Sequence, residues 1–183
     1  MIFEYEQEFA ETLAARVLYK PKVQVWMVLI PILFVLYMND LKKYKDGRKG
    51  FVKNYLISRK RALEEAIAAI DADRECDVAP LTKKADLPDN ARQPYAELLT
   101  IMTEHYEALL RTNGKDYNAM VREVYHNQTN YLLFFNQLNK AEKSLNTALR
   151  PHLQDNEGVN DVISSMQQHS EQIRRDNALQ TFS

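Results

Sequence analysis

The chain has 183 residues, with 24 lysines and arginines against 25 aspartates and glutamates, and its formal net charge is -1. This length allows one ordinary domain and excludes two large ones, and the near-neutral balance indicates no particular partner. The 4 glycines and 6 prolines favour long helices over a turn-rich β-sandwich, and the single cysteine excludes both a disulfide framework and a multi-cysteine metal site.

Residues 1–22 predict an acidic, amphipathic helical arm. Its apolar side chains recur at helical spacing between glutamates: Phe3, Phe9, Leu13 and Val17. We expect this arm to lie on a membrane surface or on a partner, outside the main domain. Pro21 then interrupts it, because the residue before a proline is biased out of the α region.

Residues 23–38 read VQVWMVLIPILFVLYM, in which Gln24 is the only strongly polar side chain. A helix of this length covers roughly 24 Å, a little less than the ~30 Å hydrocarbon core of a bilayer. A central proline costs a soluble helix about 3 kcal/mol but is tolerated more often in lipid. We therefore predict a membrane anchor, with lipid contacts through Trp26, Pro31, Phe34 and Tyr37.

Three interpretations of this stretch stay open. It can cross the bilayer once, it can form a re-entrant hairpin kinked at Pro31, or it can be a buried core helix of a soluble protein. A single span would leave the acidic arm outside, whereas a hairpin would leave both flanks on one side.

Basic residues follow the apolar stretch in a juxtamembrane segment, residues 39–61. Those assigned to lipid headgroups are Lys42, Lys43, Lys45, Arg48 and Lys49. Each basic residue close to an anionic surface contributes about 1 kcal/mol of binding. The positive-inside rule places the C-terminal side in the cytoplasm, at the inner membrane if the protein is bacterial.

Residues 51–183 predict an antiparallel bundle of about four helices. The first helix continues from the basic segment and ends before a linker at about 78–94, and the second begins near Pro94. The third begins near Asp116 and ends before Pro151, with a seam spaced alternately four and three. The last covers roughly 159–177, and the tail after it is expected to fray.

The seam of the third helix has two polar positions, Gln128 and Glu142. Gln128 and His169 sit on predicted seams and suggest a register-fixing polar layer, with a small polar pocket or cofactor site as the alternative. Glu123 and His126 form a Glu-x-x-His that resembles half of a ferritin-like di-iron motif. No second pair exists, and the seam directs His126 outward, so we expect no metal, no cofactor and no catalytic residues. The aromatic face of the third helix is wider than one seam can bury, which suggests Tyr125 and Phe134 as contacts to a protein partner.

These observations predict a membrane-anchored helical scaffold, adaptor or accessory subunit that is not an enzyme. Its expected partners are membrane lipids and either a protein or further copies of itself, with no nucleic acid and no evident small-molecule substrate. The alternatives are a redox or metal-binding bundle that uses His105, His126 and His169, and a signalling module that acts through the N-terminal arm.

Overall fold

The computed structural model describes residues 1–18, 47–152 and 157–183, and their secondary structure is helical with no strand. The predicted all-α class is therefore confirmed. Within these ranges the chain forms seven α-helices and one 3-10 turn. They are α1 (Ile2–Val17), α2 (Gly47–Asp71), α3 (Ala79–Lys83), α4 (Asp89–Leu110), α5 (Tyr117–Tyr125), α6 (Gln128–Leu149), the 3-10 turn (Arg150–His152) and α7 (Glu157–Thr181).

The predicted anchor, residues 23–38, lies outside the described residues. Two groups of predicted lipid contacts lie outside with it: Trp26, Pro31, Phe34 and Tyr37 in the anchor, and Lys42, Lys43 and Lys45 after it. Among the helices of the three described ranges, none is both long enough and apolar enough to cross a bilayer.

Five long helices form a closed ring, in which α1 packs on α2, α2 on α4, α4 on α6, α6 on α7, and α7 back on α1. The short helix α3 packs on α4, and α5 packs on α4, α6 and α7. This corrects the expectation that the arm lies outside the bundle, for its described part, residues 1–18. The apolar stripe of α1, including Phe9 and Leu13, is buried by neighbouring helices of the same chain.

Four of the five neighbouring pairs in the ring run antiparallel. In the first pair, Glu6 of α1 contacts Arg59 of α2, and Glu11 of α1 lies beside Arg48 of α2. In the other three pairs the beginning of one helix lies beside the end of the other: Tyr5 with Asn177, Asn90 with Ala148, and Tyr131 with Phe182.

The ring contains one parallel pair, because five helices cannot alternate in direction around a closed ring. That pair is α2 and α4, so residues 72–88 run back along the bundle to start α4 at the end where α2 began. The predicted bundle is confirmed, but an antiparallel arrangement of four helices is not. One end of the bundle consequently holds the end of α1 and the beginning of α2, and we name it the Leu18–Gly47 end.

The predicted third helix is divided in two. α5 ends at Tyr125, and His126 adopts a φ of 64°, in the left-handed region that a helix cannot continue through. Asn127 then caps α6, because its side chain accepts a hydrogen bond from the backbone N–H of Asn130 at 2.9 Å. The apolar seam survives the break, and its residues on both helices are buried: Tyr117, Val121, Tyr131, Phe135, Leu138, Leu145 and Leu149.

Two other predicted boundaries also move. The linker at 78–94 contains α3 and the first turn of α4, which begins at Asp89, and Ala85 and Leu87 between them are buried. The C-terminal tail does not fray. α7 continues to Thr181, whose carbonyl oxygen accepts a hydrogen bond from Arg122 at 3.0 Å.

Candidate functional site

A network of buried charged side chains lies at the centre of the ring. The guanidinium of Arg59, in a residue only 4% exposed, is 2.9 Å from the carboxylate of Glu6 and donates to Glu142 at 2.7 Å. It also donates to the hydroxyl of Tyr55 at 2.6 Å. The hydroxyl of Tyr106 donates to Glu6 at 2.8 Å. Side chains from α1, α2, α4 and α6 therefore meet at one level of the bundle.

The fifth helix enters this network through Arg174, which is 2% exposed. Its two terminal nitrogens each donate to Glu142 at 2.7 Å, in the bidentate geometry that arginine favours with a carboxylate. Arg174 also donates to the side-chain oxygen of Asn139. Burial alone would raise the pKa of Glu142, but Arg174 and Arg59 outweigh it and hold this pKa below its ordinary value.

The network is balanced in charge, with two glutamates against two arginines. Burial opposes the charge on both arginines, yet neighbouring groups raise the pKa of each above its ordinary value: chiefly Tyr55 and then Glu6 for Arg59, and chiefly Glu142 for Arg174. The cavity beside these groups has a volume of about 20 Å³. That is the space of about one water molecule, too small for an organic substrate. The arrangement holds five helices in one register.

His105 lies next to this network in a cluster of aromatic side chains. Its Nδ1 is 2.7 Å from the hydroxyl of Tyr125, its Nε2 is 3.3 Å from that of Tyr117, and its ring stacks on Phe134 at 4.1 Å. The hydroxyl of Tyr117 is 3.2 Å from that of Tyr131. Burial lowers the pKa of His105 to about 3, so the imidazole is neutral at physiological pH.

The predicted partner contacts, Tyr125 and Phe134, belong to this cluster. Phe134 is 8% exposed and is covered by residues of its own chain, and Tyr125 is half-buried with its hydroxyl on His105. The burial of Phe134 within its own chain argues against a partner contact there, whereas a contact at the half-buried Tyr125 stays a prediction. The aromatic face of the predicted third helix is wide because α5 and α6 bury it against each other and against α4.

The histidines proposed for a redox or metal site do not come together. His105 is buried, His126 is exposed in the turn between α5 and α6, and His169 is half-buried on α7. The carboxylate of Glu123 accepts a hydrogen bond from the backbone N–H of Asn113. Within the described residues, no group of three or more histidine, cysteine, aspartate or glutamate side chains has the geometry to hold a metal ion.

The single cysteine, Cys76, lies in the segment that returns from α2 towards α4. Its thiol is 3.5 Å from a carboxylate oxygen of Glu107. Burial, with Glu107 as a second cause, raises the pKa of this thiol to about 11, so it is protonated at neutral pH.

Two of the predicted lipid-headgroup residues lie within the described chain. Arg48 and Lys49 are in the first turn of α2, at the Leu18–Gly47 end, and both are exposed. Arg48 donates to the backbone carbonyl oxygen of Glu11 at 3.4 Å, which places it beside the C-terminal half of α1.

Sequence reasoning identified one member of the network, Glu142, as a polar seam position. Gln128, the other polar seam position on this helix, is half-buried at the start of α6. Glu6, Arg59 and Arg174 were missed. The available signal was spacing, since both arginines occupy positions at helical intervals within stripes of small or aromatic residues: Tyr55, Arg59, Ala62 and Ala66 on α2, and Ser170, Arg174, Ala178 and Thr181 on α7.

Comparison with known proteins finds no matching family model, no similar curated protein and no similar solved structure.

Proposed function

We propose that this protein is a membrane-attached helical scaffold, in which residues 23–38 hold the bundle at a bilayer and the bundle recruits a protein partner to that surface. The observation that carries the proposal is the connection between α1 and α2. These helices are antiparallel neighbours, and such neighbours are usually joined by 2–8 residues. Here residues 18–46, a stretch of 29 residues, separate them, and 16 of these form the apolar run.

The closed ring argues against the alternative of a buried core helix. The described helices close on one another, with α7 packed on α1, and the cavity at the centre of this ring is only about 20 Å³, too small for a further helix. The large apolar side chains that the described surface exposes sit on different elements: Met1 before α1, Ile67 on α2, Leu133 on α6 and Leu179 on α7. An apolar helix packed on that surface would leave most of its own side chains exposed to water. Insertion into lipid would remove those side chains from water.

Charge supports attachment at the Leu18–Gly47 end. Arg48 and Lys49 are exposed there, and Lys42, Lys43 and Lys45 precede them in the sequence. A cluster of this size next to an apolar segment is attracted to anionic headgroups by about 1 kcal/mol per basic residue. The excess of lysine and arginine after the apolar run also favours the cytoplasmic face of the membrane for the bundle, because cytoplasmic flanks are enriched in these residues.

Scaffolding acts through restricted diffusion. A partner bound to the bundle is confined to the membrane surface, where its effective concentration towards other membrane-bound molecules rises without any new contact. The rigid ring, fixed in register by Arg59, Glu142 and Arg174, suits a module that presents a constant outer surface.

Membrane fractionation of the full chain tests the attachment. The wild-type protein is expected in the membrane pellet after a high-salt wash, whereas the Leu29→Asp/Phe34→Asp variant is expected in the supernatant. Each aspartate in the middle of the apolar run opposes insertion by roughly 3 kcal/mol. The matched control is Ile67→Asp/Leu179→Asp, which adds the same charge at exposed positions of the bundle and should stay in the pellet. Wild-type protein in the supernatant would refute the attachment, as would an anchor variant that remains in the pellet.

A further inference from the structure

We infer that α1 and the rest of the bundle lie on the same side of the membrane, so the chain leaves and re-enters the bundle at its membrane-facing end without crossing the bilayer. This inference rests on the proposed membrane attachment and decides between a single span and a hairpin. The lipid surface that the Leu18–Gly47 end faces is the anionic leaflet on the bundle's own side.

The first argument is the extent to which α1 is built into the bundle. Ala10, Leu13 and Ala14 are 0% exposed, and Phe9 is 5% exposed. The ring of Phe9 stacks on Tyr55 of α2, with 5.8 Å between ring centroids. This is the burial of a core helix, and α1 is not an arm resting on a surface.

The second argument comes from polar contacts on both sides of α1. Towards α2, the carboxylate of Glu6 is 2.9 Å from Arg59, and both side chains are largely buried. Towards α7, Asn177 donates to the hydroxyl of Tyr5 at 2.9 Å. Contacts of this length cannot persist across a hydrocarbon core of ~30 Å. A single span would separate α1 from both neighbours and leave Arg59 without one of its two carboxylates.

The third argument is where the chain leaves the bundle. α1 ends at Val17 and α2 begins at Gly47, and the two helices are antiparallel with Glu11 beside Arg48. Both ends of the intervening stretch therefore emerge at the same end of the bundle. Basic residues lie on both flanks of the apolar run, Lys20 and Lys22 before it and the lysines from Lys42 after it, which fits two flanks at one leaflet.

Single-cysteine labelling of the full chain in membranes tests this topology. In a Cys76→Ser background, Gln7→Cys places a thiol on the exposed face of α1, and Gln172→Cys places one on the exposed face of α7. Vesicles of known orientation are treated with a membrane-impermeant maleimide before and after permeabilisation. We expect both thiols to react in the same orientation and both to be protected in the opposite one. The Cys76→Ser protein without added cysteine gives the background.

The outcomes separate this inference from the proposed attachment. If Gln7→Cys and Gln172→Cys react from opposite faces while the protein stays in the membrane pellet, the shared-side topology is wrong and the attachment stands. If the wild-type protein leaves the membrane in a high-salt wash, the attachment fails and the topology fails with it. A bis-maleimide that links Glu11→Cys to Arg48→Cys in intact membranes would support the inference independently, and failure to link them at equal labelling of both thiols would count against it.

Discussion

Replacement of Glu142 by glutamine tests the central network most directly. The change keeps the size of the side chain but removes the charge that faces Arg59 and Arg174. Glu142 accepts three charge-assisted hydrogen bonds at 2.7 Å, two from Arg174 and one from Arg59. The glutamine amide can accept only at its oxygen, and its NH2 group would point donors at a guanidinium.

The expected loss follows from burial. Removal of one partner from a buried ion pair costs about 3–5 kcal/mol. The side chain of Glu142 is 19% exposed, so some solvent remains to screen the arginines and the lower end of that range applies. We expect Glu142→Gln to lower the free energy of unfolding by about 3 kcal/mol. With a urea dependence of about 2 kcal/mol per molar, the midpoint should fall by about 1.5 M.

The assay is urea unfolding of the full chain in a mild detergent, followed by circular dichroism. Glu171→Gln on α7 is the matched control, because Glu171 is exposed and its neutralisation should change stability by less than about 0.5 kcal/mol. A loss below about 1 kcal/mol for Glu142→Gln would refute the account of the network. The double variant Glu142→Met/Arg174→Met should be less destabilised than Glu142→Gln, since it removes both charges of one pair.

The pH dependence gives the same prediction a second test. The pKa of Glu142 is lowered in the folded protein, so its contribution is fully present above the unfolded value of about 4.5 and is lost as the pH falls through the folded value. The difference between wild type and Glu142→Gln should therefore be constant from about pH 5 to 8 and shrink in stronger acid. A difference that stays unchanged at low pH would mean that the carboxylate charge is not the source of the stability.

Three other residues give independent tests. Burial lowers the pKa of His105 to about 3, so this histidine takes up a proton in the unfolded chain at a higher pH than in the folded protein. The free energy of unfolding should therefore fall below pH 6.5, by about 2 kcal/mol at pH 5. Urea titrations should show that this decline is absent in His105→Asn. Asp73 caps α2 at a φ of 48°, so Asp73→Gly should raise the free energy of unfolding by up to about 1 kcal/mol and increase the thermal midpoint. Asn127→Ala removes the cap of α6 and should cost about 1 kcal/mol in urea unfolding, whereas Asn127→Ser should cost only a few tenths.

The helical pattern of each segment could be predicted from the sequence, but the break at His126 could not be predicted from that pattern. The 4-3 spacing continues through residues 117–149 because both α5 and α6 bury a seam on that spacing. What separates them is one capping side chain, Asn127, and one residue in the left-handed region. Such a local hydrogen bond carries no periodic signal, so a pattern of apolar residues cannot reveal it.

The position of α1 was ambiguous for a different reason. An amphipathic stripe such as that of Phe9 and Leu13 fits a bilayer surface, a partner or the helix's own bundle equally well, since each removes the same apolar area from water. The carboxylate partners of Arg59 and Arg174 could not be identified from the sequence either. An arginine in an apolar stripe indicates burial only when a carboxylate from elsewhere in the chain meets it, and Glu6 and Glu142 are 53 and 83 residues from Arg59 in sequence.

Glu6 resolves the ambiguity of α1 in physical terms. The apolar side of α1 gains similar free energy in lipid or in the bundle, so hydrophobic burial alone would not choose between them. In the bundle, the carboxylate of Glu6 pairs with Arg59 and accepts from Tyr106, and these groups have no substitute in a hydrocarbon layer. Arg59 is 4% exposed in the assembled ring. Withdrawal of α1 would remove Glu6 and leave Arg59 with only one of its two carboxylate partners. The charged network therefore makes the bundle the specific site for α1, and it fixes which end of the molecule the apolar stretch must leave from.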